Sequence, residues 1–516
     1  MVPQSAERYL RMKKRFVSFL TSTMLSMSLC LILVSCSSPQ LTATPTSNPT
    51  PTDIPLDDLS IFKNGLIASQ QHVLNELRGP SIYHLEFNIA DDMVHVIGHE
   101  EVKYTNTETV ALDKVELRLF PNILGGKIDV SNISIGEQSV TPNYDLENSL
   151  LILPFAAPLE PNQSIVIKMD FADEVPQSVD QNYGVLAYYD HVLALAHSYP
   201  MICVYNEEGW NAEIPPQSGD VTFGDAAFFI VKINAPKGIT LVTTGSEISR
   251  DEAGQTQSLT VADGPARDFY LVASPAYKEV SQKFGEVTIH SYAMDGSEQG
   301  AQMALDVASK AIDVYSKRYA PFPYTEFDIV ATPTLALGIE YPGMVAIASR
   351  IYDVNGDYRG DPARIYMEAT VAHEVSHQWF YNLVGDDQLD EPWLDESFAQ
   401  FATLQYYMDE YGPQGAEGFR SSLEGRWAAL NDAKIPIGLP VAKYTDQEYG
   451  AIVYGRGALF LVALKEKMGA SVFDEFMKDY TTQLSWGIAT PAFMQSLAEK
   501  HCACDLNEIF KEWVYP

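Results

Sequence analysis

Between Tyr83 and Pro275 the apolar residues of this chain recur at every second position, whereas beyond Asp361 they recur every three to four. The first rhythm marks strands with one buried face and the second marks amphipathic helices. YHLEFNIA, MVHVIGHEEVKYTN, KVELRLFPNI, LLILPF, SIVIKMDF, FFIVKINA and FYLVASP read as strands, separated by Asn, Gly, Pro and Asp. Short strands at this spacing predict an antiparallel β-sandwich or saddle over residues 80–277. A helix is predicted within 57–79, stopping at Gly79-Pro80. After residue 278 the pattern is mixed. Residues 296–319 read as helix, EFDIVATP and MVAIAS as strands, and the helical segments that follow are 362–383, 392–411, 413–430, 450–468, 471–484, 490–500 and 505–514. The predicted class is therefore α+β and multidomain, a β-rich domain followed by a mixed α/β domain (278–516) with a mainly helical C-terminal half.

Residues 1–56 follow neither rhythm. Lys13, Lys14 and Arg15 precede an apolar run, Phe16 to Val34, and then Leu33-Val34-Ser35-Cys36. This resembles a bacterial lipoprotein signal over 1–35, with lipidation of Cys36. An uncleaved membrane anchor and a plain signal peptide are the alternatives, and all three export the chain. Residues 36–56 alternate Pro with Thr and Ser, which makes an extended tether. The expected location is the outer side of a membrane, anchored through Cys36 with the folded domains outside the cytoplasm.

Asp and Glu outnumber Lys and Arg by 68 to 34, a net charge of −34. A nucleic-acid binder needs the opposite sign, so that class is excluded. No stretch beyond the N-terminus is apolar for long enough to span a bilayer, which excludes a multi-span transporter. Three cysteines, Cys203, Cys502 and Cys504, remain after the signal and Cys36. They form no disulfide framework, although one bond is compatible with the count. Cys502 and Cys504 are expected to lie too close in sequence to pair easily, and with His501 they make a weak metal-site pattern.

The chemistry concentrates in His373-Glu374-Val375-Ser376-His377. Histidines four apart on a helix point to the same side, so both imidazoles reach one zinc ion. Glu374 is rotated about 100° from its neighbour around the helix. It need not ligate and can take a proton from a water at the metal. A third ligand is required. No His-x-x-Gly-x-x-His continuation follows, which rules out a metzincin pattern. The next helix opens Glu391-Pro392-Trp393-Leu394-Asp395-Glu396-Ser397-Phe398-Ala399, with eighteen residues between His377 and Glu396. That is enough chain to finish one helix, turn and bring Glu396 to the metal, giving the His2Glu set of thermolysin-like sites.

At this point the chain resembles the zinc aminopeptidases of the aminopeptidase N family (peptidase family M1, gluzincins), in a short bacterial lipoprotein form. HEVSHQWF and WLDESFA carry the likeness, with Asp395 and Ser397 where the family usually has Asn and Gly. Leu337-Gly338-Ile339-Glu340-Tyr341 falls where the family carries Gly-x-Met-Glu-Asn, and Ile452-Val453-Tyr454-Gly455-Arg456-Gly457-Ala458 resembles its Tyr-x-Lys-Gly-Ala helix start. The resemblance implies a thermolysin-like catalytic domain over 278–516 and one Zn2+ held by His373, His377 and Glu396. It implies Glu374 as the catalytic acid/base and Tyr454 as the oxyanion donor, with Tyr449 the neighbour to tell it from. Glu340 would bind the substrate's free amine, with Gly338 beside it in the substrate site. A second amine-binding residue is expected near AHSYPMICVYNEEGWN, where Glu207 and Glu208 read more simply as a solvated loop. Many relatives continue into a helical domain that roofs the active site, so a more open cleft is expected here.

The expected partners are peptides with a free N-terminus, and the expected activity is zinc-dependent hydrolysis of their first peptide bond outside the cytoplasm. A gluzincin endopeptidase, a hydrolase of a non-peptide substrate and an inactive peptide-binding lipoprotein are the alternatives.

Overall fold

The computed structural model describes residues 54–216, 219 and 222–515. The expected signal, Cys36 and the tether up to residue 53 lie outside the described residues. The described residues all fall within one compact unit. Among the described residues no helix is long and apolar enough to cross a membrane.

Among the described residues, the β-rich domain is built from three larger sheets and the two-stranded hairpin Tyr205–Trp210. The largest has eight strands and centres on Ile82–Ile89, His95–Thr105, Ser164–Glu174 and Ala227–Pro236. Pairing within it is antiparallel except at one place. Ile82–Ile89 runs parallel to Ala227–Pro236, with Ile82 opposite Phe228. Two four-stranded sheets, one around Val192–Ala196 and Tyr270–Ser274 and one around Leu112–Arg118 and Leu150–Leu159, share a core with the first. Leu85, Phe87, Val102, Phe171, Leu195, Phe229 and Leu271 all meet in that core. Their alternation along the strands puts one face of each sheet inside.

Segment 60–78 differs from its expected helix. It forms two short 3₁₀ turns, Leu59–Gly65 and Ala68–Gln70, and a single helical turn, Val73–Glu76. Backbone groups of Gly65 and Ile67 pair with the mixed α/β half instead. The amide of Ile67 donates to Pro323 O at 3.0 Å, and that of Thr325 donates to Gly65 O at 2.9 Å.

The mixed α/β half opens with a five-stranded sheet. Its strands are β1 (Tyr277–Phe284), β2 (Val287–Met294), β3 (Glu326–Thr332), β4 (Gly338–Tyr341) and β5 (Met344–Ala348), in the order β1-β2-β3-β5-β4. β4 is therefore an edge strand, antiparallel to β5. Helix α1 (Glu298–Arg318) packs on this sheet through Ala301, Ala304, Leu305, Ala308, Ile312 and Tyr315, spaced three and four apart. Each buried Leu or Ile of this kind contributes about 1.5–3 kcal/mol. Helix α2 (Ala363–Ser376) and the 36-residue α3 (Trp393–Ala428) follow. α3 bends at Gly412-Pro413, where Gly412 adopts φ 69°. α2 stops at Ser376, short of the predicted residue 383, and His377 caps it in helical geometry. Next come α4 (Asp446–Ala451), a π-turn over Ile452–Arg456, and α5 (Gly457–Met468). Helices α6 (Ala470–Gln483), α7 (Pro491–Cys502) and α8 (Asn507–Trp513) complete the helical end.

Cys502 and Cys504 are joined in a disulfide, contrary to the expectation from their closeness in sequence. Ala503 lies in the left-handed region (φ 49°, ψ 39°) and turns the chain enough to bring the two together. The weak metal pattern with His501 is also corrected, because His501 Nε2 sits 2.9 Å from Asp479. Cys203 is buried and unbonded.

Candidate metal and substrate site

α2 is held in place by aromatic packing at its C-terminal end. Trp379 sits edge-on to Tyr315 of α1, and its Nε1 donates to Ala320 O at 2.6 Å. The Tyr315 hydroxyl donates to Ala372 O at 2.8 Å, one residue before the first histidine. α3 starts at Pro392, which sets Asp395 and Glu396 in its first turn, where the helix dipole favours carboxylates.

Three ligand-type atoms converge between these helices. His373 Nε2 lies 3.3 Å from His377 Nε2 and 3.1 Å from Glu396 Oε2, and His377 Nε2 lies 3.8 Å from the same oxygen. A tetrahedral zinc ion with ligands at 2.0–2.1 Å spaces them about 3.3–3.4 Å apart, so the set fits that ion. The surroundings agree. Glu396 Oε2 is buried with no hydrogen-bond partner. His377 Nδ1 contacts Asp395 Oδ1 and lies 3.0 Å from Phe380 O. Its proton is thereby placed on Nδ1, and the Nε2 lone pair faces the other two ligand atoms.

Four carboxylates are buried around this point: Glu340, Glu374, Asp395 and Glu396. Burial pushes Glu374 well above the usual carboxylate range, with His377 opposing and Glu340 and Glu396 adding to the rise. Burial raises Glu340 to about 7, again against His377 and with Asp395 and Glu396. So dense a group of acids calls for cations, a metal at the ligands and a positive group at Glu340.

Glu340 is carried by edge strand β4 and points into the same cavity as the metal ligands. Its Oε1 accepts from Gln388 Nε2 at 3.1 Å. That same amide donates to Asp395 Oδ2 at 2.6 Å, and Thr222 Oγ1 donates to Gln388 Oε1 at 3.0 Å. One glutamine thus links Glu340 to the carboxylate that orients His377. Gln388 lies in the turn between α2 and α3 and has no spacing pattern that sequence reading could have detected.

Gly338 lies against Glu374. A Cβ at this position would stand 2.4 Å from Glu374 Oε1, so the close approach requires glycine. Tyr454 is in the π-turn, and its hydroxyl donates to Glu396 Oε1. Tyr449 packs edge-on against the Tyr454 ring at 5.6 Å and is not the residue on Glu396. Ser397 fastens the same turn, its Oγ donating to Val453 O at 2.7 Å. Glu207 and Glu208 sit in the exposed hairpin Tyr205–Trp210, outside the cavity. From the same sequence region it is His197 that lines the cavity, with Nδ1 2.6 Å from Asp268.

The cavity has a volume of about 1510 Å³ and runs between the β-rich domain and helices α2 and α3. Fold and site together define a two-part chain with a thermolysin-like metal centre between two helices. Residues 303–513 match the peptidase family M1 domain. The chain is 25% identical over 299 residues to probable aminopeptidase 2 of Sulfurisphaera tokodaii, covering 56% of this chain and 38% of that protein. Against aminopeptidase M1 of Arabidopsis thaliana it is 25% identical over 301 residues, covering 56% and 34%. The aligned part thus spans well under half the length of these relatives. Among solved structures, the M1 zinc metallopeptidase of Deinococcus radiodurans superposes with a TM-score of 0.61 at 18% identity, covering 85% of this chain and 94% of that one. A mutant of that enzyme bound to a Tyr-Ser-Ala substrate gives 0.59 at 18%, covering 84% and 93%.

Proposed function

We propose that this protein is a zinc aminopeptidase that hydrolyses the N-terminal bond of peptides outside the cytoplasm, tethered to a membrane through lipidated Cys36. The observation that carries the activity is Glu340, a buried carboxylate on an edge strand beside the metal ligands. A substrate ammonium placed there offsets the cost of burying its charge and fixes which bond reaches the metal. His373, His377 and Glu396 would hold the zinc. Bound zinc supplies a Lewis acid that polarises the scissile carbonyl and makes water a stronger nucleophile.

The remaining roles belong to the chain. Glu374 takes the proton of the attacking water and hands it to the leaving amine, and Gly338 leaves room for its carboxylate to do so. Tyr454 turns its hydroxyl from Glu396 to the oxyanion as charge develops there. Asp395 and Gln388 hold His377 and Glu340 in register. The relatives named as aminopeptidases support this reading. The Cys502–Cys504 disulfide supports export, since such bonds persist in oxidising compartments.

The test is fluorophore release from a panel of aminoacyl-coumarin amides by the zinc-loaded protein. Release should stop with a chelator, return with zinc and vanish when the substrate amine is acetylated. Equal cleavage of acetylated substrates would replace this reading with an endopeptidase.

A further inference from the structure

The described residues leave twelve large apolar side chains exposed, and five of them line this one cavity. Tyr183, Leu335 and Ile365 are 42%, 48% and 52% exposed. They are held firmly. Leu335 N and Thr334 Oγ1 both donate to Tyr183 O, at 2.8 and 2.6 Å. Arg350 Nη2 donates to Leu335 O and Ala336 O at 2.7 and 2.8 Å. Among the described residues this rim is a preorganised apolar surface left about half exposed.

Its distance from the metal site sets what it meets. Ile365 is in the first turn of α2 and Glu374 in the last, nine residues apart, or about 13–14 Å along the helix axis. Leu335 precedes Glu340 by five residues, at most about 17 Å of chain. An extended peptide rises about 3.3 Å per residue. With its amine on Glu340 and its first carbonyl beside Glu374, it brings its fourth or fifth residue to the rim. The cavity volume of about 1510 Å³ exceeds the roughly 300–1,000 Å³ that small-molecule sites need. Away from the metal site the acidic Asp180, Asp361, Glu368 and Asp446 outnumber the basic Arg359 and Arg426 along its walls.

We propose that Tyr183, Leu335 and Ile365 form an extended subsite, and that the preferred substrates are linear peptides of about five or more residues with an apolar, non-acidic fourth or fifth side chain. The proposal rests on the reading of Glu340 as the amine anchor.

Two arms keep these claims apart. Synthetic peptides of two to eight residues share the first residue that the coumarin panel selects, with alanine elsewhere and, in those of five or more, either leucine or glutamate at the fifth position. With the zinc-loaded full chain, kcat/KM should rise about tenfold from the tripeptide to the hexapeptide through KM and then level off. Leucine should exceed glutamate at position five by about tenfold. Leu335→Ser and Ile365→Ser should each flatten both ratios. In the second arm, calorimetric titration of the zinc-loaded Glu374→Gln protein reads binding without turnover and should show the same length and leucine preferences. Affinity that ignores length, or that is equal for leucine and glutamate, overturns the subsite. Unchanged affinity after N-acetylation, with the length preference kept, overturns the amine anchor and leaves the rim standing.

Discussion

Gly338 owes its identity to the carboxylate it faces. Nothing in its backbone requires glycine, but a methyl group there would displace Glu374. Gly338→Ala is therefore expected to keep zinc content and melting temperature while lowering kcat by on the order of 100-fold, the usual effect of moving a catalytic group by about an ångström. Turnover against metal content by atomic absorption checks it. At this scale the convergence of His373 and His377 was legible from spacing, since two histidines four apart on one helix face the same way. Gln388 was not legible. It links Glu340 to Asp395 because the chain between α2 and α3 folds back on itself, and a lone glutamine in a polar stretch carries no mark of that.

Among the elements, the π-turn Ile452–Arg456 is fixed from α3 at two successive residues. Glu396 accepts from Tyr454, and Ser397 donates to Val453 O. Gly457 makes room, since a Cβ there would come within 1.9 Å of Ser397 Oγ. Ser397→Ala should cost about 0.5–1.5 kcal/mol of stability, the worth of the hydrogen bond it removes. It should also lower kcat with zinc content unchanged, as Tyr454 loses its register. A second prediction concerns the strand Thr256–Ala266. Burial raises Asp263 to about 7, with Thr244 opposing and Asp268 adding to the rise. Its folded pKa lies above the unfolded one, so its stabilising effect is full below about pH 4 and is lost as pH rises through about 7. Asp263→Asn removes that slope. The variant should gain on the wild type in melting temperature between pH 5 and 8, by up to roughly 4 kcal/mol in stability. His95–Thr105 was legible because its alternation of buried and more exposed residues survives intact. Ser246–Ala253 was missed because nearly all of it is exposed and nothing alternates. The predicted helix at 60–78 failed for a different reason: partners across the fold captured its backbone groups.

For the whole molecule, Arg267 joins three distant stretches. Its buried guanidinium donates to Asn382 O after α2, to Gly224 O in the β-rich domain and to Gly487 O near the C-terminus, at 2.9, 2.9 and 2.7 Å. Asp225 and the buried Asp386 stand near it. Arg267→Met should cost about 3–5 kcal/mol and lower the melting temperature of the entire unit rather than of one half, which differential scanning calorimetry would register. The parallel pairing of Ile82–Ile89 with Ala227–Pro236 has a consequence for the order in which the molecule assembles. A strand near the front of the chain must wait for a partner that leaves the ribosome far later, because Ile82 is matched by Phe228. Until then one flank of the main sheet is an open edge, exposed to any other extended chain. The early half of this protein is thus most vulnerable to mispairing during its own synthesis, and the arrival of residues 227–236 ends that interval.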